Sequence, residues 1–207
     1  MFGTSFLYEF VTLYVVLDPV AAIPIFLAAT AGLPRRRALG VGFTAVCIAF
    51  GILLFFIVLG DWLLDALHVP MASFQLAGAL ILMLFGLQMT LGKVTEAALA
   101  LPADATLIQR AVFPLAMPCM AGAGSIMTVM LLTNNAERTV AEQVQTTGVL
   151  AVCMAVLFAV FALAGTLSRL LGRGGVEIVT RVFGLILTSI AVTNLVVAIK
   201  LSFNLPS

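Results

Sequence analysis

The apolar residues of this chain come in stretches long enough to cross a lipid bilayer, and six such stretches fill most of its length. They run roughly over Ser5–Ala31, Leu39–Leu59, Met71–Leu91, Leu107–Thr133, Val144–Leu167 and Val176–Ile199, each close to the ~20 residues a membrane helix needs. The runs are continuous rather than alternating, so helices are expected and a barrel is not. Composition agrees, with 63% of the 207 residues hydrophobic and 9% charged, against about 25% charged in a soluble domain. Such a chain has too little polar surface to cover a water-soluble globule. A single membrane domain in contact with lipid is expected. Nucleic acid is not an expected partner, because the net charge is +1 and the only basic run is Arg35-Arg36-Arg37. The first apolar run has no Lys or Arg ahead of it and carries Asp18 and two prolines, unlike a secretory signal.

The chain also repeats. Gly42, Ala45, Val46, Cys47 and Ala49 recur 106 residues later as Gly148, Ala151, Val152, Cys153 and Ala155, and Phe55 recurs as Phe161. The same spacing carries Gly78 onto Gly184 and the amide of Gln88 onto the amide of Asn194. Residues 1–92 read as a first copy, 93–106 as a connecting loop and 107–207 as a second copy. Lys and Arg gather in the Leu33–Ala38, Gly92–Arg110 and Ser168–Gly175 connections. That bias places these loops on the cytoplasmic side of the cell (inner) membrane and both termini outside. Three crossings per copy then turn the second copy upside down. The expected fold is an all-α polytopic membrane protein, with six transmembrane helices in a 3+3 inverted repeat.

The first helix of each copy is expected to be interrupted. Leu17-Asp18-Pro19-Val20-Ala21-Ala22-Ile23-Pro24 sits near the middle of the first run. Proline donates no backbone hydrogen bond, and its ring clashes with the preceding turn. Asp18 adds a carboxylate whose exposure to lipid costs at least ~2.5–3.5 kcal/mol, so protein or a watery cavity must receive it. The second copy has Pro114-Leu-Ala-Met-Pro118-Cys-Met-Ala121-Gly122-Ala123-Gly124-Ser125 in the corresponding run. A spacing of 103 there aligns Ile23 with Ile126, Thr30 with Thr133 and Arg35 with Arg138. Paired breaks of this kind point to a transporter site. Each leaves a half-helix N-terminus whose unpaired N–H groups and dipole attract a carboxylate. The backbone around Ala21–Ile25 and Ala123–Met127 would serve, with the Ser125 hydroxyl as a further donor and Pro24 presetting the first turn. Taken singly, the glycines at 78, 86, 122 and 124 read as packing positions.

With these signatures the chain resembles the MarC family over essentially its whole length. They are Asp18-Pro19-x-x-x-Ile23-Pro24-Ile25-Phe26, then Pro114-Leu115-Ala116-Met117-Pro118 running into Ala121-Gly122-x-Gly124, then Arg181-x-x-Gly184-Leu-Ile-Leu. The chain departs from the family's usual Gly-Asn at Ala21-Ala22, from a frequent proline at Ala123 and from a frequent glutamine at Thr193. These departures bear on what the site holds more than on the architecture. The resemblance implies a secondary transporter of small neutral amino acids working by alternating access. Its binding residues would be Asp18, Pro19, Ala21, Ala22, Ile23, Pro24, Gly122, Ala123, Gly124 and Ser125, with Gln88 and Asn194 completing the pocket or bonding between helices outside it. Asp18 would hold the substrate ammonium, or a coupling proton or Na⁺.

Other function classes find less support. A water-lined channel, or an exporter of another small metabolite, uses the same breaks. Cys47, Cys119 and Cys153 fall in apolar runs at no metal-site spacing, so no metal and no cofactor is expected. An enzyme is not expected either, since the one histidine, His68, is in a loop and Ser125 has no base near it in sequence.

Overall fold

Helices form every regular element among residues 2–93, 105–133 and 140–202, which the computed structural model describes. They are α1 (Phe2–Leu17), α2 (Pro19–Ala29), α3 (Arg35–Ala66), α4 (Met71–Thr90), α5 (Leu107–Arg110), α6 (Ala111–Met120), α7 (Ala123–Leu132) and α8 (Val140–Ser202). Local chemistry sets their ends. Pro34 and Pro70, both extended, sit just ahead of α3 and α4. α3 closes where His68 turns left-handed (φ 53°) and the amides of His68 and Val69 return to the carbonyls of Asp65 and Leu64, a Schellman turn. α3 therefore runs seven residues past the apolar stretch that marked its end in the sequence. Gly172, at φ 65°, breaks α8 into two arms within the expected Ser168–Gly175 turn. Arg138, matched to Arg35 in the sequence, lies outside the described residues.

Among the described residues, four helices are long and apolar enough to cross a bilayer: α3, α4 and the α8 arms Glu142–Thr166 and Gly174–Lys200. The pair Phe6–Leu17 and Ala22–Ala29 of α1 and α2, bent by 47°, makes a fifth where it crosses as one span. The stretch expected to cross at Leu107–Thr133 is divided into helices of 4, 10 and 10 residues. A ten-residue helix is only ~15 Å long, half of a ~30 Å hydrocarbon core. Four to five spans are thus evident by length, where the sequence suggested six.

The two interrupted segments lie side by side in opposite directions, because α1 packs on α7 while α2 packs on α6. α2 also packs against α8, where the Phe26 and Phe161 rings stack 4.5 Å apart. α3 joins this core through Ala45, Ala49, Leu53 and Ile57. The second arm of α8 crosses α4 at Gly86 and Gly184, which bears out the packing reading of Gly86.

The 106-residue spacing fails along α3. Its buried positions include Gly42, Ala45, Val46, Ala49, Leu53, Ile57 and Gly60, and those of the first α8 arm include Thr146, Val149, Leu150, Cys153, Leu157, Phe161 and Ala164. These two sets superimpose at 104 residues. A spacing of 106 instead pairs buried Ala45, Val46 and Ala49 with exposed Ala151, Val152 and Ala155, and exposed Phe55 with buried Phe161. A slip of two residues rotates a helix by about 200°, so the letter matches joined opposite faces. The spacing of 103 fares better at its Thr pair. Thr30 and Thr133 each donate to the carbonyl four residues back, both at 2.6 Å.

Candidate functional site

Two breaks in the backbone make the site. At the first, Leu17 ends α1 because a residue preceding proline is disfavoured in the helical region. The residue there, Asp18, takes a positive φ of 42°. Its carbonyl accepts the first helical bond from the Ala22 amide at 3.2 Å, so Asp18 occupies the N-cap position of α2 and Pro19 the first helical position. Pro24 does not end or begin anything; it sits inside α2, a correction to the expectation of a two-proline break. At the second break, Phe113 and Met117 are extended within the loosely wound α6. Gly122 then caps α7, its carbonyl accepting from the Ile126 amide at 3.0 Å, with no side chain capping the helix.

Both breaks open into one cavity of about 70 Å³. Asp18 and Val16 line it from the first break, and Cys119, Gly122, Gly124, Ser125 and Thr128 from the second. α4 contributes Leu82, Phe85 and Met89, and the second arm of α8 contributes Leu187, Ile190 and Asn194. Since one water needs about 10–15 Å³, the space suits a solute of a few heavy atoms. Its walls are apolar except where Asp18, Ser125, Thr128 and Asn194 meet it. Gly124 is on the wall for space rather than helix contact: a methyl there would meet Leu82 and Val16 at an ordinary 3.7 and 3.9 Å.

Of the residues expected from sequence, the structure brings together Asp18, Gly122, Gly124, Ser125 and Asn194. Pro19, Ala22, Ile23 and Pro24 are buried in α2 away from the cavity, and Ile25 is the α2 residue on its wall. Gln88 is exposed on α4, next to the wall residue Met89. A small adjoining recess is lined by both Asn194 and the amide-bearing Gln75. The side chains of Ala21 and Ala123 lie outside the described set. Cys119 and Thr128 were missed, although both flank the second break. Among the described residues no three His, Cys, Asp or Glu side chains gather as a metal site requires.

Two further buried polar groups, neither visible as a site in the sequence, fasten the first broken segment on either side of its break. Glu9 is 1% exposed and accepts a hydrogen bond from the Thr146 hydroxyl at 3.1 Å. At the far end, Arg110 Nη1 donates to the Ala29 carbonyl at 3.0 Å, at the C-terminus of α2, where a cation is favoured by the dipole.

The family model for MarC family integral membrane proteins matches residues 3–203. The chain belongs to the MarC family. It is thus an integral, multi-pass membrane protein. This MarC protein is similar to the UPF0056 membrane protein of Aquifex aeolicus, 30% identical over 202 residues that cover 96% of this chain and 94% of the relative. It is equally similar to one from Pyrococcus abyssi, 30% identical over 202 residues, 97% of each chain. A third, from Methanocaldococcus jannaschii, is 30% identical over 198 residues, 94% of this chain and 96% of the relative. No solved structure matches the chain.

Proposed function

We propose that this MarC protein is a secondary transporter of small zwitterions, in particular small neutral amino acids such as glycine and alanine. The observation that carries this reading is the meeting, in one cavity of about 70 Å³, of Asp18 with the N-terminus of α7, which no side chain caps. The two ends have different roles. Asp18 already sets a negative charge at the N-terminus of α2, so α2 does not hold the substrate carboxylate. The α7 N-terminus, with the Ser125 hydroxyl, takes the carboxylate instead, and Asp18 takes the ammonium or a coupling proton or Na⁺. Leu82, Phe85 and Ile190 leave room for little beyond a methyl side chain.

The 3+3 inverted repeat belongs to the same proposal. The antiparallel pairing of the broken segments, the matched breaks and the 104-residue burial register support it. Rocking of the two copies about the cavity then gives alternating access. The Lys and Arg distribution supports an inner-membrane orientation with both termini outside. No enzymatic role is proposed.

Counterflow in proteoliposomes tests the reading. Saturable exchange of glycine and alanine is expected, and Asp18→Asn should lower it at least about tenfold or abolish its dependence on a proton or Na⁺ gradient. If neither amino acid exchanges or competes, the substrate assignment fails. Unchanged exchange by Asp18→Asn under every gradient would remove Asp18 from coupling.

A further inference from the structure

A second recess, of about 380 Å³, lies between α2, the start of α3 and the end of the first α8 arm. Its walls are mixed: Leu27, Leu33 and Leu39 are apolar, Thr30 adds a hydroxyl, and the stacked rings of Phe26 and Phe161 also line it. Gly42 makes room for those rings, since a methyl there would come within 3.1 and 3.2 Å of them. Arg35 and Thr166 bring polar groups to the recess. Phe43 and Leu163, the neighbours of Gly42 and Ala162, are 58% and 66% exposed. Large exposed apolar side chains on a membrane helix face lipid, so the recess is flanked by the lipid-facing surface.

The charge is unusual for helix stability. Arg35, Arg36 and Arg37 all stand in the first turn of α3, which has no acidic residue. Cations there oppose the helix dipole, whereas an anion would gain from both the dipole and the guanidinium groups. We propose that this recess binds an anionic phospholipid, its phosphate at Arg35 and the start of α3, and an acyl chain along Leu27, Leu33 and Leu39. Basic pockets between membrane helices suit such head groups. The site is independent of the transport reading and of the central cavity.

Native mass spectrometry of the purified full chain, offered equal phosphatidylglycerol and phosphatidylcholine, tests this. Wild type should retain phosphatidylglycerol about fivefold better. Arg35→Gln should bring the two lipids to parity, while Arg36→Gln should keep most of the preference. Gly165 lines the recess, and a Cβ there meets nothing within 4 Å, so Gly165→Leu should fold, fill the recess and lose the bound lipid. Equal retention by wild type, or full retention by both Arg35→Gln and Gly165→Leu, overturns the proposal. Displacement of the lipid by glycerol phosphate without acyl chains also overturns it, because the site would then take a soluble phosphate.

Discussion

At the scale of single residues, the closest constraint is where α4 meets the second arm of α8. A methyl on Gly86 would lie 2.5 Å from the Thr188 hydroxyl and 2.8 Å from its amide nitrogen; one on Gly184 would lie 2.6 Å from the Thr90 amide nitrogen. The contact is reciprocal. Thr90 bonds the Gly86 carbonyl at 2.9 Å and Thr188 bonds the Gly184 carbonyl at 2.8 Å, each within its own helix. Small residues let backbones approach this closely in lipid, where packing and not the hydrophobic effect holds helices together. Alanine at either glycine must therefore push two backbones apart, at a cost of about 1–3 kcal/mol. Gly148→Ala, where nothing lies within 4 Å, should be neutral or slightly stabilising. Unfolding midpoints in detergent check this, and equal midpoints for all three variants would contradict the packing account.

At the scale of elements, the first broken segment is tied to the second half of the chain on both sides of its break, at Glu9 by Thr146 and Gln145 and at Ala29 by Arg110. Glu9 lies about 14 Å along α1 from Asp18, and Ala29 about 16 Å along α2, at 1.5 Å per residue. Arg110→Met removes a charge-assisted bond and leaves the Ala29 carbonyl buried, which should cost about 1.5–3 kcal/mol. Thr146→Val removes the hydroxyl that Glu9 accepts from. Hydrogen exchange should accelerate in α2 for the first variant and in α1 for the second; uniform acceleration in both would show that the two sides of the break are not separately fastened. These contacts span 81 and 137 residues, and no local pattern announces them. The breaks themselves were legible because Pro19, Pro114 and Gly122 act on their own backbone. Pro24 was misjudged because, inside α2, a missing donor costs one bond without ending the helix. Gln88, paired with Asn194 through the 106-residue register, is exposed on α4 outside the cavity lining, and the letter matches of that register join buried positions to exposed ones. The burial pattern that corrects the register is three-dimensional information.

At the scale of the whole molecule, alternating access predicts that the cavity meets water from one membrane face at a time. The chain has three cysteines, and only Cys119 lines the cavity; Cys47 is exposed on α3 and Cys153 is buried. With Cys47→Ala and Cys153→Ala, Cys119 becomes a single reporter, labelled by a membrane-impermeant maleimide applied to either face of sealed vesicles. The two fastenings lie on opposite sides of the break, so weakening one should bias the molecule toward opening on that side. Arg110→Met should raise labelling from the face at the Ala29 end, and Thr146→Val from the face at the Glu9 end, each with a matching fall from the other. Saturating substrate should slow labelling in every variant by occupying the space beside Asp18 and Ser125. A channel would instead admit reagent from both faces at once, with neither variant shifting the balance. If Cys119 reacts from neither face in any variant while the same reagent labels it in detergent at alkaline pH, alternating access through this cavity is contradicted.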